Sequence, residues 1–232
     1  QKHSAEALDS FEKALKEKPD DDETLVLLGA YWRSLPSLSP DPAINKKESQ
    51  ENQVKAKGYY EQAIKSNPDS FDPYLQLADI YTREANTAFE QKFRSVMEEN
   101  LANADKVLEQ RVTRGTSLTG IYAWRNKAFM AVVRWQLFQI NANRLEHLQQ
   151  LTNQQLSDSE LKALMDRMRQ IHKDFIAEAV GGEKDLRAMF MKARLQIFEN
   201  HPFPAITTLR ELQNKLQPGD LWARTRLYLA QL

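Results

Sequence analysis

The sequence of 232 residues contains no cysteine. This excludes disulfide bonds, thiolate nucleophiles and zinc sites built on cysteine. It does not decide the cellular compartment, because many secreted proteins also lack cysteine. The formal net charge is zero as well, because the 32 Lys and Arg residues balance the 32 Asp and Glu residues. A balanced chain has no global electrostatic attraction to nucleic acid or to an anionic membrane.

Glycine, proline and long apolar runs are scarce as well. The chain has 7 Gly and 9 Pro, and no uninterrupted apolar run approaches the roughly 18 residues that a membrane-spanning helix requires. Runs of β-branched residues with period two are missing, whereas Ala, Leu, Glu, Lys and Gln are abundant. The sequence therefore predicts an all-α protein without membrane insertion.

The first 32 residues predict two helices separated by a sharp stop. Small and apolar residues recur with helical spacing at Ala7, Phe11, Ala14 and Leu15. Pro19 ends this helix, because proline lacks an amide proton and clashes with the preceding turn. Residues 20–23 are all acidic and supply N-cap oxygens for a second helix, which carries Leu25, Leu28, Gly29 and Trp32.

Residues 56–81 repeat this arrangement. The equivalent positions are Ala56, Tyr60, Ala63, Pro68, Tyr74, Leu77, Ala78 and Tyr81. When the prolines are aligned, both segments read Ala-x3-aromatic-x2-Ala-x4-Pro, followed by apolar-x2-Leu-small-x2-aromatic. This pattern resembles the tetratricopeptide repeat (TPR), a helical hairpin of about 34 residues with the signature Trp-x2-Leu-Gly-x2-Tyr, Ala-x3-Phe and Pro.

The resemblance implies a TPR-like right-handed α-solenoid of antiparallel helix hairpins. In this family the first and second helices of a hairpin, helix A and helix B, cross closely at small residues. Gly29 and Ala78 would fill that place on helix A, and Ala56 and Ala63 on helix B. Glycine gives up about 1 kcal/mol of helix propensity there.

Long inter-helix insertions depart from the family spacing. The first is a Pro/Ser-rich loop running into a charged helix start over residues 35–52. Residues 83–110 predict a long or broken helix, residues 114–120 a loop, and residues 121–151 one helix that is nearly apolar all round between Ala128 and Ile140. A capping box, Ser157 with Glu160, begins the next helix, and Ala193 and Ala205 return at the TPR interval of twelve residues.

Three parts are expected: TPR-like repeats with insertions in 1–112, a long irregular helix pair continuing the stack in 113–182, and a degenerate repeat plus terminal helix in 183–232. Counted back from Ala7, the chain starts inside a repeat, and it ends on an apolar helix. Because solenoids need polar caps, we expect this chain to be a piece of a longer array or an excised domain.

The functional surface of a TPR is usually the concave face lined by the A helices. The resemblance implies that this surface, called here the helix A face, consists of Glu23, Val26, Ala30, Arg33, Asp72, Leu75, Asp79 and Arg83. Its mixed acidic and apolar character fits a peptide or partner protein with apolar anchors and a few basic residues. The Lys and Asn residues of the chaperone carboxylate clamp are absent, so that ligand is not expected.

No residue pattern supports catalysis. His3, His147, His172 and His201 lack the spacing of a metal-binding motif, His172 and Asp174 diverge on a helix, and no glycine-rich phosphate loop occurs. The acidic run 20–23 lacks the spaced ligands of a calcium loop. We therefore expect neither an enzyme nor a metal site, a cofactor or a small-molecule substrate.

Three functions follow from these observations. The first is an interaction scaffold for a protein or peptide ligand, with self-association left open. The second is a regulatory or targeting TPR domain of a larger enzyme. The third, a nucleic-acid-binding array, rests on basic residues interleaved with tryptophans and is the least expected; these are Trp124, Arg125, Lys127, Arg134, Trp135 and Arg144.

Overall fold

The structure, a computed structural model, describes residues 2–36, 41–115, 123–150 and 156–232, with the backbone alone for residues 2–5, 42, 115 and 123–126. It divides into two compact units, Gln1–Arg114 and Gly115–Leu232. Within the described ranges the regular structure is entirely helical, which confirms the all-α prediction. The predicted loop at 114–120 lies almost wholly outside these ranges, and the three-part division of the chain stays a prediction.

The first unit contains five described helices. They are α1 (Lys2–Glu17), α2 (Asp22–Ser34), α3 (Pro42–Ser66), α4 (Asp72–Glu90) and α5 (Arg94–Gly115). From α1 to α4, each helix packs against the next one along the chain. The predicted start of α2 is confirmed, because Asp21 is its N-cap and accepts a hydrogen bond of 3.1 Å from the Thr24 amide.

Helices α2 and α3 pack closely together at Gly29, one of the predicted small residues. Gly29, Ala63 and Ala78 are all buried, as expected. A Cβ atom at position 29 would lie 2.5 Å from Cε1 of Tyr60, and Tyr60 is itself fully buried. The absence of a side chain at Gly29 therefore makes the space that the Tyr60 ring fills.

The helix start expected within the first insertion is found at Pro42, and residues 37–40 of the expected loop lie outside the described residues. Asp41 caps α3 by accepting a hydrogen bond from the Ala43 amide, and Pro42 is the first helical residue, so α3 spans 25 residues. The second insertion is a broken helix: α4 ends at Glu90, Lys92 adopts a positive φ of 61°, and α5 begins at Arg94.

The second unit contains α6 (Ala123–Gln150), α7 (Asp158–Glu178), a short 3₁₀ helix (Gly182–Lys184), α8 (Leu186–Phe198), α9 (Pro202–Lys215) and α10 (Asp220–Gln231). The capping box of Ser157 and Glu160 is confirmed. Residues 137–142 of α6 are all buried. Since six successive helical residues point in every direction around the axis, this helix is packed on more than one side, as predicted.

A buried polar network fixes three helices of the second unit. Arg194 on α8 is fully buried and donates hydrogen bonds to Gln139 at 3.0 Å and to Glu146 at 2.6 Å, both on α6. Tyr228 on α10 donates to the same Glu146 carboxylate at 2.5 Å, and burial raises the pKa of Tyr228. A buried charge needs such partners, because its desolvation would otherwise be costly.

The crossing predicts opposite outcomes for two glycine-to-alanine substitutions. Gly58→Ala on α3, where an added Cβ meets nothing within 4 Å, should raise the free energy of unfolding by about 0.5–1 kcal/mol through helix propensity. Gly29→Ala gains the same propensity but overpacks Tyr60, at a cost of about 1–3 kcal/mol. Urea unfolding with hydrogen exchange in α2 and α3 measures both. Equal stabilisation by the two substitutions would show that the crossing is loose.

Candidate functional site: the helix A face and an adjoining groove

The eight residues of the helix A face lie on α2 and α4, and none of them is buried. Glu23, Ala30, Asp72 and Arg83 are exposed. The other four are half-buried, namely Val26, Arg33, Leu75 and Asp79. Each of the eight side chains therefore keeps at least part of its surface exposed.

Arg33 joins the two helices of this face. Its guanidinium on α2 donates hydrogen bonds to Gln76 and Asp79 on α4. The Asp79 carboxylate also pairs with Arg83 at 3.0 Å. One carboxylate thus balances two arginines, so Asp79 is not available to a basic ligand, and the expected acidic character of the face rests on Glu23 and Asp72.

The same arginine lies close to the helix crossing. Burial raises the pKa of Tyr60, and the charge of Arg33 opposes that shift. Arg33 therefore lies near enough to the buried Tyr60 to influence it electrostatically, while its hydrogen bonds go to acceptors on α4. Its position depends on the packing of α2 against α3.

Leu27 is a residue of this face that the sequence reasoning missed. Its side chain is half exposed, and it lies four residues after Glu23 and three before Ala30, which places all three on one side of α2. The family pattern alone gave no reason to select it. The signal was present in the helical spacing, which puts an apolar residue among solvent-facing positions.

A groove of about 840 Å³ adjoins the face in the same unit. Its walls are the beginning of α3, the second half of α4 and the beginning of α5. Arg83 belongs to both surfaces. The lining is rich in side-chain amides and contains three exposed apolar residues, Val54, Phe93 and Val96. Sequence reasoning missed this groove, because it is formed by the two insertions.

The candidate acid–base pair of His172 and Asp174 does not form. His172 Nε2 lies 3.1 Å from the Ala188 carbonyl oxygen, whereas Asp174 accepts a hydrogen bond from Gln170 and pairs with Arg134 at 3.3 Å. Burial lowers the pKa of His172, which favours the neutral ring with Nε2 donating to that carbonyl.

Two residues behind the nucleic-acid hypothesis, Arg134 and Trp135, make contacts within the second unit, whereas Lys127 is exposed. Arg134 pairs with Asp174 and with Glu178 at 3.5 Å. Trp135 packs against Phe190, with 5.9 Å between ring centroids. The side chains of Trp124 and Arg125 lie outside the described residues. An exposed platform for stacking bases is therefore not formed by Arg134 and Trp135.

The described parts of the chain hold no group of three or more His, Cys, Asp or Glu residues arranged to bind a metal ion. Among the described helices, none combines the length and the apolar character needed to cross a membrane.

Comparison with known proteins gave no match: no family model, no curated protein and no solved structure is similar to this chain. The resemblance to TPRs therefore rests on the residues named above.

A double-mutant cycle tests the bridge between α2 and α4. Arg33 is 19% exposed and Arg83 is 66% exposed, so solvent screens the second pair more strongly. We expect a coupling of about 0.5–1 kcal/mol between Arg33→Gln and Asp79→Asn, and less between Arg83→Gln and Asp79→Asn. Chemical unfolding at low and high salt provides the measurement. Equal couplings for both arginines would contradict the bridging role.

The lowered pKa of His172 predicts that the stability of the second unit depends on pH. Because the folded-state pKa lies below the unfolded value of about 6.5, the unfolded chain binds more protons in mild acid. The contribution of His172 to the free energy of unfolding is therefore complete above a pH of about 6.5 and declines as the pH falls below it. The decline between pH 6.5 and 5 should be smaller in His172→Gln. An unchanged pH profile of urea unfolding in this variant would contradict the prediction.

Proposed function

We propose that this chain is a TPR-like right-handed α-solenoid that acts as a non-catalytic scaffold and binds a partner protein or peptide on the helix A face. The observation that carries the proposal is the link from Arg33 to Gln76 and Asp79, which joins the outward sides of α2 and α4. The buried crossing of Gly29 and Tyr60 supports the hairpin part of the proposal.

The side chains of the face suit a protein partner. Val26, Leu27 and Leu75 supply partly exposed apolar area, and Glu23 and Asp72 lie in the first turns of α2 and α4. An apolar centre with a polar rim is typical of protein interfaces. The two acids also stabilise their helix N-termini, so their charge alone does not argue for binding.

The shared Asp79 carboxylate makes this face a pre-formed surface. Because Arg33 and Arg83 already have partners, a ligand does not have to order these long side chains, and the entropy cost of binding is smaller. The ligand contributes apolar anchors that bury Leu27 and Leu75, and basic groups that reach Asp72 or Glu23.

The experiment is partner capture with a variant that leaves the bridge intact. Leu27→Gln combined with Asp72→Lys changes two exposed or half-exposed positions and spares Arg33 and Asp79. We expect proteins captured from a lysate of the source cells by the unaltered chain to be lost by this variant. Its melting temperature should fall only slightly, because Asp72→Lys removes a favourable charge from the first turn of α4. Quantitative mass spectrometry of the captured proteins provides the measurement.

A matched control carries the same two types of change away from the face. Phe203 on α9 is strongly exposed, and Asp158 is exposed in the first turn of α7. Phe203→Gln with Asp158→Lys should retain the captured proteins. Retention by the face variant as well would place the binding surface elsewhere.

A further inference from the structure

The first part of α3 is a helix without a packed side. Residues 43–51 are exposed throughout, and tertiary burial begins only at residues 52 and 53. A helix segment that buries nothing gains little stability from the rest of the protein. Its ordering therefore depends on the cap at Asp41 and on continuity with the packed half of α3.

Apolar side chains lie beside this segment and are left open to solvent. Val54 on α3 is 68% exposed, Phe93 before α5 is 57% exposed and Val96 on α5 is 45% exposed. All three line the groove of about 840 Å³. Most large apolar residues of a folded domain are buried, and their convergence on one concave surface is characteristic of an interaction site.

The ion pairs around the groove leave it with a positive charge. Its charged lining residues are Lys46, Arg83 and Glu84. Glu84 is neutralised by Lys57 at 2.6 Å. Arg83 shares Asp79 with Arg33, which leaves one positive charge in excess. Lys46 forms no ion pair with a described residue.

We propose that this groove binds an acidic amphipathic helix of a partner protein. The apolar side of that helix covers Val54, Phe93 and Val96, and its flanking Asp or Glu residues pair with Lys46 and Arg83. The groove lies outside the helix A face except for Arg83, and the proposal does not depend on that face being a binding surface.

The dimensions and walls of the groove favour a helical occupant. Lining residues extend from 45 to 54 on α3 and from 83 to 91 on α4, which corresponds to about 12–14 Å at a rise of 1.5 Å per residue. A ligand helix of about nine residues covers this length. The helical walls offer no sheet edge, and a helix satisfies its own backbone hydrogen bonds.

The test begins with a displayed library of random twelve-residue peptides, selected on the whole chain and depleted on the Val54→Gln variant. We expect enriched peptides to carry apolar residues at i, i+3 or i+4 and i+7, with Asp and Glu outnumbering Lys and Arg. The dominant peptide is then synthesised with a fluorescent label, and its dissociation constant is measured by anisotropy at two salt concentrations.

Matched variants on one helix separate the groove from its surroundings. Val54→Gln should weaken peptide binding by about tenfold or more. Ile44 is also an exposed apolar residue of α3 but lies outside the groove lining, so Ile44→Gln should leave the affinity unchanged. Lys46→Gln should weaken binding and its salt dependence, whereas Lys47→Gln should not. Hydrogen exchange at residues 43–53 should slow when the peptide binds.

Several results would overturn the proposal. In the selection, these are the absence of peptides enriched over the Val54→Gln variant, an enrichment of basic peptides, or apolar residues spaced two apart as in an extended ligand. In the affinity measurements, the contradicting result is equal peptide binding by Val54→Gln and Ile44→Gln. Light scattering of the chain alone provides a last check. A dimer that Val54→Gln dissociates would assign the groove to a second copy of this chain instead.

Discussion

The close approach of α2 and α3 at Gly29 determines the arrangement of the first unit. Tyr60 occupies the space of the missing side chain, so the helices are fixed both in separation and in rotation. The free energy lost by placing glycine in a helix, about 1 kcal/mol, is smaller than the contribution of one fully buried aromatic side chain. The crossing therefore favours the compact arrangement, and it decides which residues of α2 face outward.

The rotation of α2 positions Arg33, and Arg33 in turn organises the charges of the surface. Because Asp79 balances Arg33 and Arg83 together, a surface that looks mixed in sequence becomes acidic at the beginnings of α2 and α4 and positive towards the groove. The two surfaces are continuous through Arg83. A chain with zero formal charge thus presents local surfaces of opposite sign, so the two proposed binding surfaces differ in the ligand charge that they favour.

The buried positions could be predicted from the sequence, because helical periodicity maps directly onto one side of a helix. Gly29, Ala63 and Ala78 were expected to be buried because the TPR resemblance implies small residues where helices cross, and they are buried. The partner of Arg33 could not be predicted, since Asp79 lies 46 residues away and only tertiary packing brings them together. The groove was missed for a related reason. Asp41 followed by Pro42 is a helix-start signal, and reading it would have located the expected helix start at Pro42 and shown how far α3 extends.

The strength of the proposed binding in the groove depends on how well the exposed extension of α3 is ordered. Its cap and its Lys47–Glu51 pair, 3.9 Å apart on the surface, contribute about 1 kcal/mol or less each. The segment is ordered mainly by propagation from the packed half of the helix, which is only weakly favourable per residue. Whenever its first turns open, the groove loses a wall, and the apparent affinity falls in proportion to the intact fraction. A ligand helix that buries Val54 favours the intact form, so binding and ordering of the extension reinforce each other.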